Sequence, residues 1–223
     1  MLRLALFGLL GVLPVRAAAG PVTGKIELPP AAERAPMVAK GFLERIDNPK
    51  KNIQNVNPGP SLLVVLVGDA KPDPSSQVVW DLVGESFNRP VIGVPLGAEL
   101  VIKNLSKTTR TLVAAEDPKL VPPGPINPTG PKSFRVSELR TYTIGDHDAP
   151  HLKGTIVAVP TPFVAYVEVT NNVGRFEFPD VPDGSYKLRV FYKDHWIARP
   201  DQAVSVAAKT KTEINDVKLT SFR

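Results

Sequence analysis

The densest group of side chains capable of chemistry lies between residues 146 and 151. It reads D-H-D-A-P-H and contains Asp146, His147, Asp148 and His151. Two imidazoles and two carboxylates in one short loop could bind Cu(II), Zn(II) or a similar ion. The alternative is structural, with the carboxylates in turn hydrogen bonds and the histidines solvated or packed. Because the chain has only 3 histidines, the ligand count favours the structural alternative.

The composition excludes several other kinds of site. The chain has no cysteine, so blue-copper, zinc–cysteine and iron–sulfur sites and cysteine nucleophiles are ruled out. No nucleophile elbow, phosphate-binding loop or H-E-x-x-H motif is present. The net charge of +5 comes from scattered Lys and Arg, so a nucleic-acid partner is not expected. We therefore expect a non-catalytic protein without a cofactor, unless the loop above holds copper or zinc.

The N-terminal residues have the pattern of a secretory signal peptide. A positive start at Arg3 precedes an apolar run from Leu4 to Val15, and small residues follow at Ala17–Ala19. We predict that residues 1–19 are removed and that the protein is periplasmic or secreted. The apolar run is too short for a stable membrane span, although a short N-terminal anchor is the alternative interpretation.

The remaining chain predicts an all-β protein. Short β-branched and aromatic runs alternate with turn residues, and 24 prolines are spread along the chain. The run from Ser61 to Val67 is continuously apolar, which indicates a strand buried on both faces. Two segments, residues 29–60 and 118–132, have loop composition, with a possible short helix at Met37 to Leu43 in the first.

The proline-rich segment 118–132 has two interpretations. It carries apolar residues at Leu120, Val121 and Ile126 between its prolines and glycines. A long ordered loop is often functional, and this one could recognise a protein partner. The alternative is a clamp that covers the edge of a sheet.

Aromatic residues form the main candidate binding surface. They are Trp80, Phe191, Tyr192, His195 and Trp196, and the last four belong to the run F-Y-K-D-H-W. Exposed rings at a strand end could stack on sugar faces or on an envelope protein. The alternative is that they pack in the core. Our candidate binding residues from this group are Tyr192, His195 and Trp196.

The last third of the chain resembles a known sandwich family. The segment from Thr161 to Tyr192 contains tight turns at Asn171-Asn172 and at Pro182-Asp183-Gly184, and its apolar residues alternate between them. It resembles the carboxypeptidase regulatory-like domain, a transthyretin-like sandwich grouped with carbohydrate-binding-like folds. The residues that match the family motif are Gly174, Phe176, Val181, Pro182, Gly184, Tyr186 and Leu188. The resemblance implies a fold and gives almost no information about activity.

The middle of the chain resembles a cupredoxin, the Greek-key sandwich of plastocyanin-like proteins. The resembling segments are Pro90 to Asn104 and Arg140 to Val159. The family's first copper-binding histidine falls at or near Arg110, its cysteine near Asp146 and its methionine near Leu152. A guanidinium only donates hydrogen bonds and cannot ligate a metal, so the resemblance implies a sandwich without its blue-copper site.

Arg110 is therefore a candidate residue in its own right. A cation at the position of the first copper ligand could pair with Asp146 and preserve the sandwich. We hypothesise this ion pair, and Arg110 joins the aromatic residues as a candidate binding residue.

The two resemblances together are those of secreted bacterial plastocyanin-like or methylamine-utilisation-like proteins. The fold class predicted is all-β, a cupredoxin-like Greek-key sandwich plus a small transthyretin-like sandwich. The expected units are N-terminal strands in 20–75, a cupredoxin-like domain in 76–160 and a regulatory-like domain in 161–223. We expect strands before residue 75 to pair with strands after residue 161. The partner expected is a glycan or an envelope protein.

Overall fold

The computed structural model describes residues 19–29, 57–198, 201–207 and 209–222. These residues form an all-β structure with one short 3-10 helix at Gly59–Ser61. The strands are β1 (Ala19–Glu27), β2 (Leu62–Val67), β3 (Gln77–Val83), β4 (Ser86–Phe87), β5 (Val91–Pro95), β6 (Glu99–Asn104), β7 (Leu112–Ala114), β8 (Pro131–Arg135), β9 (Thr141–Asp146), β10 (Lys153–Val159), β11 (Val164–Tyr166), β12 (Glu168–Thr170), β13 (Val173–Pro182), β14 (Gly184–Tyr192), β15 (His195–Trp196), β16 (Gln202–Val206) and β17 (Thr212–Lys218).

The strands form four sheets. Two have the orders β12-β13-β1-β17 and β11-β2-β14-β15, with β16 also paired to β14 in the second. The other two have the orders β5-β10-β9-β7 and β4-β3-β6-β8. We call the first two sheets the split sandwich, because its strands come from both ends of the chain. The last two form the inserted sandwich, whose strands are consecutive in sequence.

The split sandwich joins early and late strands. Strand β1 is antiparallel to β13 and parallel to β17, and β2 lies between β11 and β14. Its core contains Val22 and Ile26 from β1, Phe176 and Phe178 from β13, and alternate residues of β2 and β14. These pairings confirm the prediction that strands before residue 75 pair with strands after residue 161.

The inserted sandwich has a separate core. Trp80, Leu100 and Ile102 from one sheet pack with Tyr142 and Ile156 from the other. Each sheet contains one parallel pair, β3 with β6 and β5 with β10, whereas its other pairs are antiparallel. The alternation of buried and exposed residues along β9 follows the period of two expected for a strand.

A third core joins the two sandwiches. Strand β2 directs Leu62, Val64 and Leu66 into the split sandwich, while Leu63 and Val65 face the inserted sandwich. Between the two sandwiches, Leu63 and Val65 pack with Val91, Val157, Val159 and Phe191. All but the last residue of β2 are buried, which confirms the predicted strand with two buried faces.

Gly93 permits the close approach of the two sandwiches. A Cβ atom at this position would lie 2.6 Å from Cγ1 of Val164 and 3.0 Å from Cδ2 of Leu63. Both neighbours belong to the split sandwich, so any larger residue at position 93 would push the two sandwiches apart.

The turns of the last third form as their residues predict. Asn171 and Asn172 have φ values of 52° and 61°, the left-handed region that asparagine tolerates, between β12 and β13. The apolar run V-A-Y-V-E-V, Val164 to Val169, predicts a single strand, but it is divided between β11 and β12 because the chain leaves one sheet for the other there. The short strands β4 and β15 were not predicted.

Two predictions about the N-terminal part fall on residues that the structure does not describe. Residues 1–18 of the predicted signal peptide lie outside the described residues, as does the possible helix at Met37 to Leu43. Ala19, the last residue of the predicted signal peptide, is the first residue of β1. Within the described ranges, no helix has the length and apolar character needed to cross a membrane.

Candidate functional site

The backbone around Arg110 is fixed by three segments of the inserted sandwich. The N–H of Arg110 donates to the carbonyl of Ile126 at 3.0 Å, and the N–H of Ile126 donates to the carbonyl of Arg110 at 2.7 Å. The amide of Asn104, at the end of β6, donates to the same Ile126 carbonyl at 2.9 Å. This fully buried asparagine therefore holds the proline-rich segment against the strand that leads to Arg110.

The guanidinium of Arg110 is buried between two carboxylates. Its Nη2 donates to Oε1 of Glu85 at 2.8 Å and to the carbonyl of Gly84 at 3.1 Å. Its Nη1 lies 3.8 Å from Oδ2 of Asp146. The side chains of Arg110 and Asp146 are only 7% and 1% exposed. The ion pair hypothesised from the sequence is present, but Glu85 is the closer partner.

Asp146 also organises the loop that follows β9. Its Oδ1 accepts hydrogen bonds from the N–H groups of Asp148 at 2.8 Å and Ala149 at 3.2 Å. Its buried Oδ2 and the buried Nε of Arg110 have no hydrogen-bond partner. The electrostatic attraction of the guanidinium is thus the main compensation for burial of that carboxylate oxygen.

Glu85 links the buried arginine to the loop at the surface. While one of its oxygens accepts from Arg110, the other lies 2.8 Å from Nε2 of His151. The hydrogen bond from Arg110, with a smaller contribution from His151, lowers the pKa of Glu85 below its ordinary value. We call Glu85, Arg110, Asp146 and His151 the charge cluster. The sequence did not indicate Glu85, since an acid after a turn glycine has no distinctive pattern.

The four candidate metal ligands do not converge. Nδ1 of His147 contacts Oδ1 of Asp148 at 2.9 Å, and this hydrogen bond raises the pKa of the histidine. His151 instead contacts Glu85, and Asp146 faces Arg110. In the part of the chain that the structure describes, no group of three or more His, Asp or Glu side chains could hold a metal ion.

A blue-copper centre does not fit these residues. The position of the first histidine carries a guanidinium, whose nitrogen atoms only donate hydrogen bonds. The position of the cysteine carries Asp146, one of whose oxygens already accepts two backbone N–H groups. A metal cation placed here would meet the positive charge of Arg110, so these residues do not form a blue-copper site.

The proline-rich segment packs onto the inserted sandwich. Its Val121 and Ile126 are 4% and 2% exposed and belong to the core of that sandwich. Nζ of Lys132, in the edge strand β8, donates to the carbonyls of Pro122 and Gly124. These contacts support the interpretation of the segment as a clamp over the sheet edge.

Two of the aromatic residues interpreted as a surface are core residues. Trp80 and Phe191 are fully buried, so that interpretation was wrong for both. Trp80 stacks on Phe87 with ring centroids 3.8 Å apart, and its indole N–H donates to the carbonyl of Arg89. Trp80 lies on the face of β3 that fills the core of the inserted sandwich, and Phe191 lies on the face of β14 that is buried in the third core between the two sandwiches.

The three candidate binding residues of the run F-Y-K-D-H-W are half-buried and contact other residues of the chain. Tyr192 stacks on Phe222 at 4.3 Å, and Nε2 of His195 lies 3.0 Å from the Phe222 carbonyl. The guanidinium of Arg189 lies over the ring of Trp196, 4.4 Å from its centroid. The structure thus brings Tyr192, His195 and Trp196 together on β14 and β15 of the split sandwich, whereas Arg110 belongs to the inserted sandwich.

Several solved structures are similar to part of this chain. A reduced amicyanin mutant is 12% identical over 43% of this chain and 98% of its own, with a TM-score of 0.33. A mutant plastocyanin of fern is 17% identical over 37% of this chain and 100% of its own, with a TM-score of 0.33. Auracyanin from Roseiflexus castenholzii is 19% identical over 39% of this chain and 98% of its own, with a TM-score of 0.31.

No protein-family profile matches the chain, and no curated protein sequence matches it.

Proposed function

We propose that the chain is a non-catalytic extracytoplasmic binding module. In this proposal a copper-free cupredoxin-like unit is inserted into a regulatory-like sandwich, and the partner is a glycan or an envelope protein. The observation that carries it is the burial of the Arg110 guanidinium between Glu85 and Asp146. An ion-paired arginine stabilises one end of the inserted sandwich at the position where the resemblance expects a metal ligand.

Three further observations support this function. The predicted signal peptide directs the chain out of the cytoplasm. Each sandwich has its own apolar core and a third core joins the two, which suits a rigid scaffold that presents surface residues. The motif residues Phe176, Val181, Tyr186 and Leu188 are buried in the split sandwich, as the regulatory-like resemblance implies.

The test has two parts. Mass spectrometry of the protein from the extracytoplasmic fraction should show cleavage near Ala19. Sedimentation of the purified protein with isolated cell-envelope material should show saturable association. A chain that stays in the cytoplasm, or that never associates with the envelope, would contradict the proposal.

The second candidate function is metal binding through His147 and His151, two exposed imidazoles in one loop. Elemental analysis and titration with Cu(II) and Zn(II) separate the two functions. Stoichiometric metal that is lost in the His147→Ala, His151→Ala double variant would favour the second. Envelope association that persists in this double variant, without bound metal in either protein, would favour the first.

A further inference from the structure

A groove of about 560 Å³ crosses the outward face of the β12-β13-β1-β17 sheet. Its volume lies in the range of small-molecule sites, roughly 300–1,000 Å³. The residues that line it come from all four strands and from the segments beside them. Its charged residues on β1 and β13, Lys25, Arg175 and Glu177, alternate with buried residues, so they face away from the core of the split sandwich. It lies on a different sandwich from the charge cluster.

Two cations in this groove oppose each other. Lys25 on β1 and Arg175 on β13 are direct partners in the antiparallel register. Like charges placed opposite each other on one face of a sheet are destabilising. Within the described ranges, neither side chain has an ion-pair partner. Lys211 chiefly, and Lys25 to a smaller extent, lower the pKa of Glu213, so Arg175 is the less compensated of the two cations. A like-charge pair of this kind is suited to an anionic group of a ligand.

An unpaired carboxylate lies on the next strand. Glu168 on β12 is the direct register partner of Arg175, yet no ion pair forms between them. The neighbouring Lys211 and Glu213 differ, since their 2.8 Å ion pair neutralises both charges. The charges of Glu168, Arg175 and Lys25 thus form a row across three adjacent strands, and Glu177, a third carboxylate of the groove, lies beside this row on β13.

We propose that this groove binds a short peptide with free termini. The peptide carboxylate lies between Lys25 and Arg175, and the peptide ammonium pairs with Glu168. Neighbouring strands are about 4.8 Å apart, so the ends of the charge row are separated by roughly 10 Å at the backbone. A dipeptide, at about 3.3–3.6 Å per residue, spans most of that distance. This inference rests on the proposed binding function and specifies a site and a ligand class for it.

The test is calorimetric titration with Ala-Ala, N-acetyl-Ala-Ala and Ala-Ala amide. We expect saturable binding of Ala-Ala and binding at least about tenfold weaker for each blocked form, which corresponds to about 1.4 kcal/mol. In Arg175→Gln, the preference for the free carboxylate over the amide should disappear. In Glu168→Gln, the preference for the free amine over the acetylated form should disappear. Lys187→Gln, an exposed cation on another sheet, should leave all three affinities unchanged.

Peptide binding tests this groove, whereas envelope association tests the proposed function, so the two can fail separately. Absence of Ala-Ala binding, or equal affinity for all three peptides, would overturn the site and show a solvated surface only. Envelope association that persists under those outcomes would leave the binding function standing. Urea unfolding provides a fold control, because Arg175→Gln removes a like-charge pair and should not lower stability.

Discussion

At the scale of single residues, the charge cluster depends on one buried guanidinium that lies between the exposed carboxylate of Glu85 and the buried carboxylate of Asp146. The Arg110–Asp146 pair was predicted because a resemblance placed both residues at one end of a sandwich. Glu85 was missed because its role depends on a turn geometry that no residue pattern encodes. In the candidate metal loop, His147 contacts Asp148 whereas His151 contacts Glu85, so the two imidazoles bind different carboxylates.

Removal of Arg110 should leave a buried carboxylate without compensation. We expect Arg110→Leu to lower the free energy of unfolding by about 3–5 kcal/mol in urea titrations. The double variant Arg110→Leu, Asp146→Asn should recover more than half of this loss, because an asparagine oxygen can still accept the backbone N–H groups of the loop. Losses that simply add in the double variant would show that the two side chains are not coupled.

A charge swap is a poorer test of the same pair. Arg110→Glu with Asp146→Arg would remove the acceptor of two backbone hydrogen bonds, Asp148 N–H and Ala149 N–H. We therefore expect the swap to stay less stable than the charge-removal double variant. Equal stability of the two would show that these turn hydrogen bonds contribute little.

Acid should weaken the contribution of Glu85. Its pKa is lowered in the folded protein, chiefly by the Arg110 hydrogen bond, so the unfolded chain binds its proton more readily. The stabilisation is present above the ordinary value of 4.5 and is lost as pH falls through the folded pKa. Urea midpoints of the wild type and Glu85→Gln should differ at neutral pH and converge in acid. A difference independent of pH would contradict this account.

At the scale of elements, strands with strong periodicity or strong turn chemistry were predicted well. Strands β13 and β14 follow Asn-Asn and Asp-Gly turns, and β2 follows from an unbroken apolar run. The short strands β4 and β15 were missed because two residues are too few to show a period. The division of β11 from β12 was missed because a change of sheet is a tertiary event, invisible in local alternation.

The proline-rich clamp offers an element-scale prediction. Ile126→Ala should destabilise the protein by about 2–5 kcal/mol, because Ile126 is buried in the inserted sandwich. The neighbouring Pro125 is exposed, and Pro125→Ala should change stability by no more than about 0.5 kcal/mol. Chemical denaturation of both variants measures this contrast. Similar small effects would indicate a loop that is not part of the core.

At the scale of the whole molecule, the third core decides how the two sandwiches behave. Leu63 and Val65 belong to a strand whose other residues fill the split sandwich, so neither sandwich can separate without exposing apolar surface of β2. The apolar run predicts that both faces of β2 are buried. It does not predict that the inserted sandwich covers one of them, because apolar residues alone do not identify the surface against which they pack.

We therefore expect both sandwiches to unfold in one transition. The chain has 2 tryptophans, Trp80 in the inserted sandwich and Trp196 in the split sandwich. In Trp196→Phe and Trp80→Phe, the fluorescence of the remaining tryptophan should follow the same urea curve as circular dichroism. Fluorescence and circular dichroism midpoints that differ within either variant would show that the sandwiches unfold separately.

The chain leaves the split sandwich to form the inserted sandwich and returns to it at neighbouring strands. Both ends of the inserted sandwich are hydrogen-bonded to the turn between β5 and β6. The N–H of Leu96 donates to the carbonyl of Val159 at 2.9 Å, and the N–H of Glu99 donates to the carbonyl of Ser76 at 3.0 Å. On the host side, the flanking strands β2 and β11 are paired neighbours. A unit with adjacent ends can be exchanged as a cassette without stretching its host. A replacement domain grafted at this junction would also need an apolar face that covers Leu63 and Val65.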